Sequence, residues 1–137
     1  MKHFASEAAK WVREDKGVDL DYSFESIKAI EAQLDGLSKK VDRSNPQPGM
    51  RGQAMSYGAY VGEVFRRKMG GSWAADHPTG GEKSYPLTTR SNTVIFPLMW
   101  GWKRVINGEE DNIYLKAVLF TQADVVSTNT IEVKPAN

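Results

Sequence analysis

Apolar positions recur at three- and four-residue spacing through much of the first 70 residues, and each run predicts a helix. Phe4, Ala8, Trp11 and Val12 share one face over residues 3–16, and Gly17 follows where a left-handed stop is least costly. "VDLDY", residues 18–22, alternates apolar and acidic positions, which suits either a short half-buried strand or an extended link. Phe24, Ile27, Ile30, Leu34, Leu37 and Val41 then form a continuous stripe, with Asp21 or Ser23 placed to cap its start. The prolines and glycines of "DRSNPQPGMRG", residues 42–52, predict a loop, and a third helix spans about 53–69 before Gly70 and Gly71.

The pattern changes after residue 71. "SWAA" suits the start of a sheet, "DHPTGGEKS" a loop, and "YPLTTR" and "NTVIF" two strands joined by a tight turn near Ser91 and Asn92. Pro97 fits the first turn of a fourth helix that runs to Asn107 and stops at Gly108. A fifth helix is expected from Asp111, with Ile113, Ala117, Val118 and Phe120 apolar along it, and "TIEV" near the end suits an edge strand before a fraying tail. These elements predict an α+β fold in a single domain over residues 1–137, with about five helices packed against a small antiparallel sheet.

The third helix carries an anomaly, since Gly58 and Gly62 lie inside an amphipathic pattern where each costs roughly 0.5–1 kcal/mol relative to alanine. Ala54, Gly58, Val61, Gly62, Phe65 and Met69 share one face, so the glycines predict close approach of another element to the helix backbone. Glu63 falls on the opposite face with Ser56 and Arg67, and the acid-first spacing predicts a Glu63–Arg67 pair.

Composition narrows the class. With 40% hydrophobic and 26% charged residues, the chain can bury an ordinary globular core. Zero cysteines exclude disulfides, thiolate metal sites and cysteine nucleophiles. The absence of an apolar run of signal-peptide or membrane-span length makes a cytoplasmic location the expectation. The net charge of +1 conceals a gradient, with −2 over residues 1–42, +6 over 43–104 and −3 over 105–137. A basic middle permits an anionic partner, and acidic ends folded against it would neutralise it.

Few residues offer catalytic chemistry. His3 and His77 are the only histidines, without zinc-site spacing, so neither metal nor cofactor is expected. "TGGEKS" lacks the glycine spacing and Gly-Lys adjacency of a phosphate loop. Glu63 and His77 remain the polar pair on which a hydrolase-type alternative would rest. Nucleic acid is a third alternative, because basic residues and tryptophans interleave through the middle, although no named binding motif occurs. In "PLMWGWKRVINGEED", Leu98, Trp102 and Val105 share a core-like face and Trp100 points elsewhere. Trp100, Lys103 and Arg104, joined by Arg66 and Arg67 if the third and fourth helices pack together, therefore form a candidate anchor-and-charge patch for another protein with an acidic surface. "EED" at 109–111 reads as helix-start chemistry.

Three segments, "LDYSFESIKAIEAQL", "GAYVGEVFRRKMGGSW" and "FPLMWGWKRVINGEEDNIY", together resemble uncharacterised small bacterial domains of the domain-of-unknown-function type. The shared features are an Asp-Tyr-Ser helix start, a Gly-Ala-Tyr-x-Gly-Glu helix and a late Pro…Lys-Arg…Asn-Gly-Glu segment. The resemblance implies a bacterial α+β protein and brings no catalytic residue with it. The leading expectation is a non-enzymatic binding or regulatory domain, such as an immunity or accessory protein.

Overall fold

The computed structural model describes the backbone of residues 1–133 and the side chains of residues 1–123. Helices α1 (Lys2–Lys16), α2 (Ile27–Lys40), α3 (Met50–Met69), α4 (Pro97–Asn107) and α5 (Ile113–Val133) accompany strands β1 (Ser72–Trp73), β2 (Leu87–Thr88) and β3 (Val94–Ile95). The strands form an antiparallel sheet in the order β1-β2-β3, with Leu87 paired to Trp73 on one side and Ile95 on the other. The fold is α+β, and its core draws on all five helices and the sheet.

Helix α3 is the centre of the molecule. Residues 56–65 of this helix are all buried, with α1 and α4 as its most extensive neighbours. A helix enclosed on every side needs no polar face, and this explains why Glu63 is buried although the helical pattern puts it opposite the glycines.

The two glycines of α3 are explained by α4. A Cβ at Gly58 would fall on the carbonyl oxygen of Pro97 and lie 2.8 Å from the Cα of Leu98. One at Gly101 on α4 would strike the carbonyl group of Ala54. One at Gly62 would run into the indole of Trp73 and lie 3.0 Å from the Pro97 ring. The backbones of α3 and α4 thus meet directly, and dispersion contacts between them offset the propensity cost of glycine.

Several local readings shift. Ala5, Ala8 and Val12 are the buried face of α1, leaving Phe4 exposed and Trp11 half-buried, because the small residues let α1 lie close against α3. Gly17, at φ 67°, ends α1 by donating its N–H to the Arg13 carbonyl at 2.9 Å. "VDLDY" is a link and not a strand, since Tyr22 turns the chain at φ 59° and its ring stacks on Tyr60 at 4.6 Å. Ser23 caps a 3-10 turn, Phe24–Ser26, that leads into α2, accepting from the Ser26 N–H at 3.2 Å, while Asp21 accepts from the Ser23 N–H at 2.9 Å. Both candidate caps are therefore used in sequence. Helix α3 begins at Met50, three residues earlier than its pattern suggests.

The start of α5 differs likewise. Gly108–Asp111 forms a 3-10 turn, and Asn112 supplies the cap, its Oδ1 accepting from the Leu115 N–H at 2.9 Å. The edge strand expected at "TIEV" does not occur, because α5 runs through Val133. β-Branched residues there have no partner strand among the described residues, and continuing the helical ladder satisfies their backbone. The tail expected to fray, residues 134–137, lies outside the described residues.

The α3–α4 contact makes a graded prediction for unfolding in denaturant. Gly58→Ala and Gly101→Ala should each cost about 2 kcal/mol or more, since backbone must move to admit the methyl group. Gly62→Leu should also exceed about 2 kcal/mol, and Gly62→Ala should be milder because it meets side-chain rings. Equal stability of the parent and Gly58→Ala would show that the helices do not touch there.

Candidate functional site

Helices α3 and α4 do pack together, yet the five residues of the expected patch have separate duties. Arg104 is 1% exposed. Its Nε donates to Glu31 Oε1 at 2.9 Å, and its Nη2 donates to Glu31 Oε2 at 2.9 Å and to Asp35 Oδ1 at 2.7 Å. Glu31 also accepts the Ile113 N–H at 2.9 Å, and Lys39 pairs with Asp35 at 2.9 Å. Arg104 therefore ties α4 to α2 and, through Glu31, to the start of α5. Its assignment to a partner-binding surface is corrected: the side chain faces inward because carboxylates one helical turn apart on α2 receive it. Burial disfavours its charge, but the hydrogen bonds of Glu31 and Asp35 outweigh this and raise its pKa. Bonds first from Lys39 and then from Arg104 hold the Asp35 carboxyl below its ordinary range.

Arg66 is likewise engaged. Its Nε donates to Glu63 Oε2 at 2.6 Å and its Nη2 to Glu63 Oε1 at 3.1 Å, while the Trp73 indole N–H donates to Oε2 at 2.9 Å. Glu63 thus pairs three residues along with Arg66, and not with Arg67 as its spacing suggested. Burial would raise the Glu63 pKa, yet the bonds from Arg66 and Trp73 bring it below its usual value. Arg67 is exposed and lies over the Tyr22 ring at 3.5 Å from its centroid. Its cation–π contact with the α1–α2 link takes the place of the expected ion pair.

Trp100 is half-buried under α5. Its ring meets Phe65 at 5.9 Å and Phe120 at 6.1 Å in edge-to-face geometry, and Lys116 sits 5.5 Å above it. Lys116 also bonds Asp111 at 2.8 Å, and Asn107 donates to the other oxygen of Asp111 at 2.7 Å. Trp100 accordingly holds α5 in place, so truncating it would affect folding as well as any surface. Trp102 is half-buried too, with the Arg51 guanidinium 6.0 Å from its ring centroid. Lys103 is exposed, one turn along α4 from Trp100.

His77 has local partners of its own. Its Nδ1 accepts the Thr79 N–H at 3.0 Å, and its ring stands edge-on to Phe96 at 5.3 Å. Glu63 and His77 share no hydrogen bond, each being occupied by different groups. Among the described residues, no cluster of His, Asp and Glu is placed to hold a metal ion. None of the helices among the described residues is long and apolar enough to cross a membrane.

One surface feature escaped the pattern of the sequence. Leu115 and Leu119, one turn apart on α5, are each 58% exposed, whereas Ile113 and Ala117 on the same helix are buried. The signal was present: apolar residues run right round the first turns of α5 instead of forming one stripe, and a helix at the surface of a domain cannot bury both sides. Comparison of the chain with family models, with curated proteins and with solved structures finds no match.

The hydrogen-bonded carboxylates of Asp35 and Glu63 predict acid sensitivity. Asp35 and Glu63 have folded-state pKa values below their ordinary ones. Their contribution is therefore present above the unfolded values, near about pH 4, and is lost as pH falls through the folded values. Urea midpoints should fall steeply below about pH 4, and Asp35→Asn should flatten that decline. Arg104→Ala should destabilise the protein at neutral pH by about 3 kcal/mol, since it leaves Glu31 without its cation and Asp35 with Lys39 alone.

Proposed function

We propose that this protein is a non-enzymatic binding domain whose partner is another protein, with the outer face of α5 and the adjoining part of α4 as its contact surface. The observation that carries the reading is the pair of exposed leucines, Leu115 and Leu119, on one face of α5. Single exposed leucines are ordinary, but two neighbours on a helix held by an aromatic cluster make a rigid apolar ridge. Trp100 and Phe120 anchor the helix that carries that ridge. Lys103 adds an exposed positive charge on α4, which suits a partner whose apolar groove is rimmed by acidic residues. The leucines would supply the affinity and the charge would favour encounter. A small bacterial immunity or accessory protein would operate in this way, by covering a partner without transforming it.

Photo-crosslinking tests this surface. A bacterial lysate is treated with protein bearing a photoreactive amino acid in place of Leu119 or, as a control on α1, in place of Lys10. The Leu119 position should give a defined adduct in which the attached peptide has acidic neighbours, with yield reduced at least about tenfold by Leu115→Glu and several-fold by Lys103→Glu. Equal adducts from both positions, or an adduct formed only with a second copy of this chain, would overturn the proposal.

A further inference from the structure

A cleft of about 560 Å³ lies between α1, α2 and the first half of α3, lined by residues of all three helices. It is separate from the α4–α5 ridge. Its size falls within the range of small-molecule sites. The indole of Trp11, half-buried, forms a wall and meets the Tyr57 ring edge-on at 5.7 Å. Gln33 donates from Nε2 to the Tyr57 hydroxyl at 3.1 Å, which leaves the hydroxyl's own proton uncommitted among the described residues. The Gln53 side chain and the Trp11 indole N–H also have no hydrogen-bond partner among the described residues.

Gly36 helps to keep this cleft open. It lies inside α2, where glycine costs about 1 kcal/mol relative to alanine. Unlike Gly58 and Gly101, it has no packing role, since a Cβ there would meet nothing within 4 Å. The missing side chain leaves the cleft open beside the unused polar groups, as a glycine does where a ligand approaches the backbone.

The ligand's chemistry follows from the lining. Glu14, Asp15, Lys16 and Lys40 border the cleft, so its charges cancel. Glu14 is paired with Lys10 at 3.9 Å and Asp15 with Lys16 at 3.7 Å, so neither carboxylate requires a cation from the ligand. What remains is the exposed Lys40 ammonium at the border and an aromatic wall with neutral donors and acceptors from amides and a phenol. We infer that the cleft binds a neutral, polyhydroxylated ligand, a saccharide of one or two rings. Its C–H face would lie against Trp11, and its hydroxyls would bond Gln33, Gln53 and Tyr57.

Side-chain NMR can read those groups directly. Glucose, cellobiose and N,N′-diacetylchitobiose are titrated into the full chain, with adenosine and glycine as controls of other chemistry. At least one sugar should shift the Trp11 indole and the Gln33 and Gln53 amide signals, saturating with a dissociation constant on the order of 1 mM or tighter. Gly36→Leu fills the cleft while improving helix propensity, and should weaken that binding at least about tenfold in a protein that melts no lower than the parent. Gln53→Ala should weaken it several-fold and also remain folded. The proposal is overturned if no sugar shifts these signals by about 10 mM, if a control ligand alone does so, or if folded Gly36→Leu binds as well as the parent.

Discussion

Helices α3 and α4 approach one another until main chain meets main chain, and the other elements are arranged around that contact. Gly58 admits Pro97 and Leu98, and Gly101 admits the Ala54 carbonyl, so the separation is set by backbone and not by interdigitated side chains. Because α3 is thereby covered on one side by α4 and on another by α1, its few polar groups must find partners inside the protein. Glu63 does so through Arg66 and Trp73. The same indole that bonds Glu63 packs over Gly62, so the small sheet is attached to α3 by one residue with a polar and an apolar function.

Electrostatics then joins the remaining helices. The basic middle of the chain is partly consumed by its own fold. Arg104 is met by Glu31 and Asp35 from the acidic first third, Arg66 by Glu63, and Arg43 donates to the carbonyls of Val105 and Ile106 at the end of α4. A cation at a helix C-terminus is favourable in its own right. Arg43 consequently connects the loop after α2 to the end of α4. Arg51, Arg67, Lys68, Lys83, Arg90 and Lys103 remain exposed, so part of the central charge does face solvent.

Helix existence was legible because the stripe of α2, the Gly17 stop and Pro97 at the start of α4 each have a local physical cause. The close contact was legible as well, because a glycine in the interior of a helix needs compensation. Arg104 was not, since nothing within "GWKRV" distinguishes an arginine directed at solvent from one received by carboxylates about 70 residues earlier, as its 69- and 73-residue separations from Asp35 and Glu31 require. The partner of Glu63 was ambiguous for a related reason: positions three and four residues along both carry arginine, and Tyr22 decides between them by taking Arg67. "TIEV" was misread because strand propensity is expressed only where a neighbouring strand exists.

The buried arginine has a consequence for how this sequence can vary through descent. One guanidinium serves two carboxylates, and one of those carboxylates also holds the first amide of α5. Loss of Arg104 leaves Glu31 without its cation, and loss of Glu31 leaves both the guanidinium and the first amide of α5 short of a partner. Positions 31, 35 and 104 should therefore be inherited together or replaced together, so that drift in one helix of a related chain is readable as a matching change in another.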